Sequence, residues 1–117
     1  MTDKVALNES QITTHNELLL HLLAAREKLM MVDPKSLELN MHIQWNEELY
    51  QVGLAISAVQ GAILTSISER YAKTLPAIER AADKLTDDLY KLKVANDVIA
   101  AVSSVLGTIS SIVTLLG

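Results

Sequence analysis

Three histidines, fourteen acidic side chains and no cysteine are the raw material for chemistry in this 117-residue chain. His15, His21 and His42 share no helical face at ligand spacing, and none stands in a His-Glu-x-x-His pattern, so no metal site is expected. His42 follows Glu38 by one helical turn, a spacing suited to a hydrogen bond on a helix surface. The acids gather as Glu47-Glu48 and as Glu79, Asp83, Asp87 and Asp88. Lys84 and Lys91 sit near the second cluster at helical spacing, which reads as a solvated face laced with ion pairs. Catalytic carboxylates would need a pocket to shift their pKa values, and a slim bundle offers little concavity. No Gly-x-Ser-x-Gly turn is present, and the glycines stand alone at 53, 61, 107 and 117, so no phosphate loop forms. The expectation is a protein that is not an enzyme, with no cofactor and no small-molecule substrate.

Composition narrows the partners. The formal net charge is −4 and the basic residues are scattered, without an interleaved aromatic platform. Nucleic acid is therefore not expected as a partner, because clustered Lys and Arg must replace its counterions. The absence of cysteine leaves the redox compartment open. The N-terminus lacks the cationic start and apolar core of a secretory signal, so the default expectation is cytoplasmic. Export that reads no cleaved signal would leave no trace here.

The elements that must position these residues are helical. Half of the chain is hydrophobic but only 3% is aromatic, leaving Leu, Ile, Val and Ala as the packing material. Two prolines and four glycines are too few for the turns of an all-β fold. A first helix is expected over about residues 10–31, with Thr14 and Glu17 at capping-box spacing and Leu18, Leu22, Leu29 among its apolar stripe. Asp33-Pro34 reads as the start of a second helix, over about 34–71. Its stripe is Leu37, Met41, Trp45, Leu49, Val52, Ile56, Val59, Ile63 and Ile67, with Trp45 in the core and Tyr50 at the border. Thr74 ahead of Pro76 reads as the cap of a third helix, over about 75–116, unless the proline makes only a kink. In it Ile78, Leu85, Leu92, Ile99, Leu106 and Val113 form a heptad ladder whose flanking residues change sides near Asn96. At about 1.5 Å per residue the second and third helices would each approach 60 Å. The expected architecture is one domain, 1–117, folded as an elongated antiparallel three-helix bundle, or as four or five helices if Gly53 or Gly107 breaks one.

Two stretches carry no charge, Leu49–Ser68 and Val98–Gly117. The first has a small face, Gly53, Ser57 and Gly61, that lets another helix approach closely, and suits a central helix touched on two sides. The second is amphipathic with an uncharged polar side. Val98, Ile99, Val102, Val105, Leu106, Ile109, Ile112, Val113 and Leu116 fall on one face. Ser103, Ser104, Gly107, Thr108, Ser110, Ser111 and Thr114 fall on the other, with Leu115 as the exception. Such hydroxyls can bond back to their own helix and tolerate burial.

The run Asp33-Pro34-Lys35-Ser36-Leu37, followed by Leu49-Tyr50, resembles the turn and second helix of type III secretion needle and inner-rod subunits. Those are small helical hairpins with a proline-marked turn and a tyrosine-bearing apolar helix. They end soon after that helix, whereas a further long segment follows here. The resemblance implies that self-assembly suits such a pattern. The functional expectation is a helical interaction module, of an accessory, chaperone-like or immunity type. It would self-associate or bind a protein partner through Gly53, Ser57, Gly61, Ser103, Ser104, Gly107, Ser111 and Thr114. The alternative is a membrane-active protein, a pore component or tail anchor, using Val98–Gly117.

Overall fold

The computed structural model describes residues 3–117 and contains five α-helices. The expected domain of 1–117 begins in residues 1 and 2, which lie outside the described residues. A two-residue strand β1 (Lys4–Val5) leads into α1 (Glu9–Met30) and α2 (Leu39–Gly61). A second short strand β2 (Ile67–Ser68) follows, then α3 (Glu69–Lys91), α4 (Ala95–Ser103) and α5 (Leu106–Leu116). The molecule measures 46 × 26 × 18 Å.

Helix α1 starts at a reciprocal cap that differs from the expected one. The Asn8 side chain accepts from the Gln11 amide at 2.8 Å, and the Gln11 side chain accepts from the Asn8 amide at 2.9 Å. Thr14 lies inside the helix instead, its hydroxyl donating back to the Ser10 carbonyl. Asp33-Pro34 opens only a 3-10 turn, Pro34–Ser36, in which Asp33 accepts from the Lys35 amide. Helix α2 begins after Glu38, which supplies no side-chain cap.

The long second and third helices of the sequence reading are each broken, and the breaks fall away from Gly53 and Pro76. After Gly61 the backbone leaves the helix, and from Leu64 onward it pairs with the N-terminal segment. Lys4 and Val5 pair antiparallel with Ser68 and Ile67, the Leu7 amide donates to the Leu64 carbonyl, and the Glu69 amide donates to the Asp3 carbonyl. Periodicity alone hides this, since Ile63 falls on the stripe by arithmetic yet is 68% exposed in the connection. Conversely α3 runs straight through Pro76, and Thr74 bonds back to Arg70 in mid-helix instead of capping. A proline in a helix interior costs about 3 kcal/mol. Burial of Leu75, Ile78, Leu85 and Leu89, each contributing about 1.5–3 kcal/mol, outweighs it.

The third expected helix is interrupted at 92–94, close to where its flank changes sides, and again at 104–105. At the second break the Ser104 hydroxyl donates to the Ala101 carbonyl at 2.6 Å, and α4 and α5 meet at 48°. Gly107 lies just beyond this break, inside α5. Among the described residues no single helix is long and apolar enough to cross a membrane; α4 and α5 satisfy length and composition only as a bent pair.

Packing follows a square. Helix α1 packs on α2 and α3, and α5 packs on the other sides of α2 and α3, which leaves α2 and α3 on a diagonal. Contacts His15–Tyr71 and His21–Thr86 show α1 and α3 running parallel, while His15–Val59 and Trp45–Leu29 show α2 antiparallel to α1. The chain crosses the diagonal between α2 and α3 through residues 62–68, and β1 straps that crossing. Leu18, Leu22, Val52, Ile56, Leu75, Ile99, Val102, Ile109 and Ile112 are buried between the helices.

Candidate functional site

The small faces lie outside the bundle. A Cβ added at Gly53, Gly61 or Gly107 would meet no atom within 4 Å. Ser57, Gly61, Ser103, Ser104, Gly107 and Thr114 are exposed, and Gly53 and Ser111 are half-buried. The face assignment of Val98–Gly117 matches the burial in part: Val98, Ile99, Val102, Ile109 and Ile112 are buried, whereas Val105, Leu106, Val113 and Leu116 are half-buried, as are Thr108, Ser110 and Ser111 of the expected polar face. On the other side the hydroxyls of Ser104, Ser110 and Ser111 donate to the carbonyls of Ala101, Gly107 and Thr108. Two grooves flank α5. One, of about 510 Å³, runs between Ser57, Gly61 and Ile63 on one bank and Val113 and Leu116 on the other, with Lys4 at its rim. The other, of about 450 Å³, lies between Arg70, Thr74 and Ala77 of α3 and Thr108, Ser111 and Thr114 of α5. Ser57 and Gly61 line the first groove and Ser111 and Thr114 the second, while Gly53, Ser103, Ser104 and Gly107 line neither, so the structure does not bring the eight small residues into one patch.

Three polar constellations in the helices were not legible as such in the sequence. His15 and Tyr71 are buried, and the His15 ring joins three helices. Its Nε2 lies 3.0 Å from the Val59 carbonyl oxygen of α2, and its Nδ1 lies 2.8 Å from the Tyr71 hydroxyl of α3. A carbonyl can only accept, so Nε2 carries the proton and Nδ1 accepts from the Tyr71 O–H. Burial pushes the His15 pKa below its ordinary 6.5, against the opposing pull of the Val59 carbonyl. The Tyr71 phenol is pushed up by burial and stays protonated.

Glu48 is the second. The sequence grouped it with Glu47 as an acidic pair, but its side chain is fully buried. Gln44 donates to Oε2 at 3.2 Å, and Oε1 has no partner. Burial raises its pKa to about 7, the Gln44 bond pulling weakly the other way. No signal in the local sequence marks it. It follows Trp45 by three residues, and Trp45 itself is held inward by donation from Nε1 to the Leu29 carbonyl at 2.7 Å.

The third is His21, half-buried between α1 and α3. Its Nε2 faces Glu79 at 3.3 Å and Asp83 at 3.7 Å, and its Nδ1 lies 3.0 Å from the Thr86 hydroxyl. That hydroxyl donates its only proton to the Ala82 carbonyl, so it accepts from His21. Part of the acidic cluster therefore faces a histidine. Lys84 and Lys91 form no ion pair among the described residues, where Lys73–Glu69 is the remaining pair, so the expected lacing of that face is corrected. His42 also departs from expectation: its ring pairs with the Asn46 amide, not with the Glu38 side chain, and stands edge-on to Trp45. Among the described residues no group of three or more potential metal ligands comes together.

No family model, curated protein or solved structure gives a significant match to this chain. The functional reading therefore rests on the geometry above.

Proposed function

We propose that the protein is a non-enzymatic helical interaction module, associating with itself or with a protein partner through the small faces of α2 and α4–α5. The observation that carries this reading is the open space over Gly53, Gly61 and Gly107. Glycine inside a helix costs about 1 kcal/mol relative to alanine. Its compensating advantage is close approach of another helix, and within the bundle nothing approaches. The grooves on both flanks of α5 are walled mainly by small and apolar side chains, with Lys4 in the lining of one and Arg70 in that of the other, and Gly61 lies in the first.

The test is the oligomeric state and partner capture of the full chain with Gly61→Leu or Ser104→Leu. Both positions are exposed, so thermal stability should hold while association weakens tenfold or more by analytical ultracentrifugation. Unchanged association in both variants would rule the small faces out.

A second reading, membrane activity through Val98–Gly117, is favoured by one feature. The pair α4–α5 has the length and composition of a span, bent by 48°. Placing lysines at the exposed Ser104 and Thr114 should leave the fold intact and abolish liposome flotation, since each charge opposes insertion by about 2.5–3.5 kcal/mol. Flotation that survives both lysines, or wild-type protein that never floats, excludes it.

A further inference from the structure

We propose that His15 is an acid-released latch on the diagonal crossing between α2 and α3. The ring ties the body of α1 to the last turn of α2, through Val59, and to the first turn of α3, through Tyr71. Those two turns bracket residues 62–68. The backbone bonds of the crossing run to the β1 strap and within its own turn, and its side-chain anchors are Ile67 in the core with Ala62 and Leu64 packed against it. The end of α5 rests against the same segment, where Val113 and Leu116 face Ile63 and Ile67 across the groove.

Hydrogen-bond accounting gives the direction. With the neutral ring, Nε2–H donates to Val59 and Nδ1 accepts from Tyr71, and every partner is satisfied. When Nδ1 gains a proton it confronts the Tyr71 O–H, donor against donor. The phenol must then rotate to accept, which leaves its own proton without the acceptor it had, in a buried site. The new charge also lacks a counterion. Among the described residues His15 forms no ion pair. From its own helix Glu9 and Glu17 are exposed to solvent. The facing part of α2, Leu49–Gly61, and the whole of α5 carry no charged residue. On α3, Glu69 is engaged by Lys73 at 3.2 Å and Arg70 is exposed, while the N-terminal strap carries the exposed Asp3 and Lys4. Acid therefore acts against the junction with nothing to compensate it.

The contact that α1 makes with α3 in mid-helix is separate from the junction. His21 meets Glu79, Asp83 and Thr86 of α3 one and a half turns along α1 from His15, and touches neither the strap nor the crossing.

Amide hydrogen exchange on the full chain at pH 7.5 and 5.0, corrected for intrinsic chemical rates, tests this. The strap amides Leu7 and Glu69 should open at least tenfold more often at the lower pH, while those of Val52 and Ala82 stay unchanged. In His15→Gln, whose amide can still donate to Val59 but does not titrate, the strap should show no such change. Should that variant fail to fold, NMR titration of the wild-type ring supplies the second measurement. Its protonation must begin below pH 6.5 and coincide with strap opening. A ring that titrates without opening the strap, a wild-type strap unchanged between the two pH values, or exchange that rises equally at all four amides overturns the latch.

Discussion

At the scale of single residues, two buried ionisable groups pull the stability of this protein in opposite directions with pH. His15 is held neutral in the fold, its pKa below 6.5. The unfolded chain therefore binds a proton that the folded chain refuses as pH falls through 6.5, and stability drops on acidification. Glu48 is raised from 4.5 to about 7. Here the folded chain keeps a proton that the unfolded chain has released, so the contribution is fully present below pH 4.5 and is lost as pH rises through about 7. Glu48→Gln should remove that loss, making the variant more stable than wild type at pH 8 by on the order of 2–3 kcal/mol, and no more stable at pH 4. Denaturant titrations at the two pH values check it. A variant that is equally or less stable at pH 8 would mean that Glu48 finds a partner for Oε1 or reaches water. Neither group could be singled out from its neighbours in sequence. A histidine or glutamate on a helix next to apolar residues looks the same whether it faces inward or snorkels to the edge.

At the scale of elements, burial and distant pairing override local punctuation. The proline expected to start a helix sits in mid-helix at position 76, and Ile63, on an unbroken apolar stripe, sits in a loop. Pro76 is exposed, and its place in α3 lacks a donor to the preceding turn. Pro76→Ala should therefore stabilise the protein by about 1–2 kcal/mol, somewhat less than the interior penalty because alanine also frees the unfolded chain. Thermal melts read this as a rise in Tm, and a fall would show that the ring makes packing contacts that offset its missing N–H. The capping residues were legible in kind but not in place. Asn8 and Gln11 carry the reciprocal cap of α1, a pair as well suited by chemistry as Thr14 and Glu17. What distinguishes them is the strand β1 just before, which sets the entry of the chain into the helix.

At the scale of the whole molecule, the arrangement divides the charge-free surface into a buried half and an open half. Helix α2 is touched by α1, α4 and α5, which accounts for the missing charges of its Leu49–Gly61 part, yet Gly53 on the same helix faces empty space. Gly53→Ala should raise the stability of the folded chain by about 0.5–1 kcal/mol, since the backbone is helical and a methyl group meets nothing. If the small face docks another helix, the same change should weaken association, and measuring both on one variant separates folding from docking. An alanine that destabilises the monomer would place an unseen neighbour over Gly53. By itself the sequence determined that the chain is helical, because its turns are few and its packing residues aliphatic. It also determined which face of Val98–Gly117 turns inward, because a periodic split between aliphatic and hydroxylated side chains survives a break in the helix. The tertiary structure alone decided where the helices end, that α2 and α3 lie on a diagonal, and that His15 and Glu48 are buried. Each of these depends on contacts between residues far apart in the chain. The pairing of β1 with β2 and the bridge from His15 to Tyr71 leave no trace in local spacing, for the free energy that fixes them is shared between segments that come together only when the chain folds.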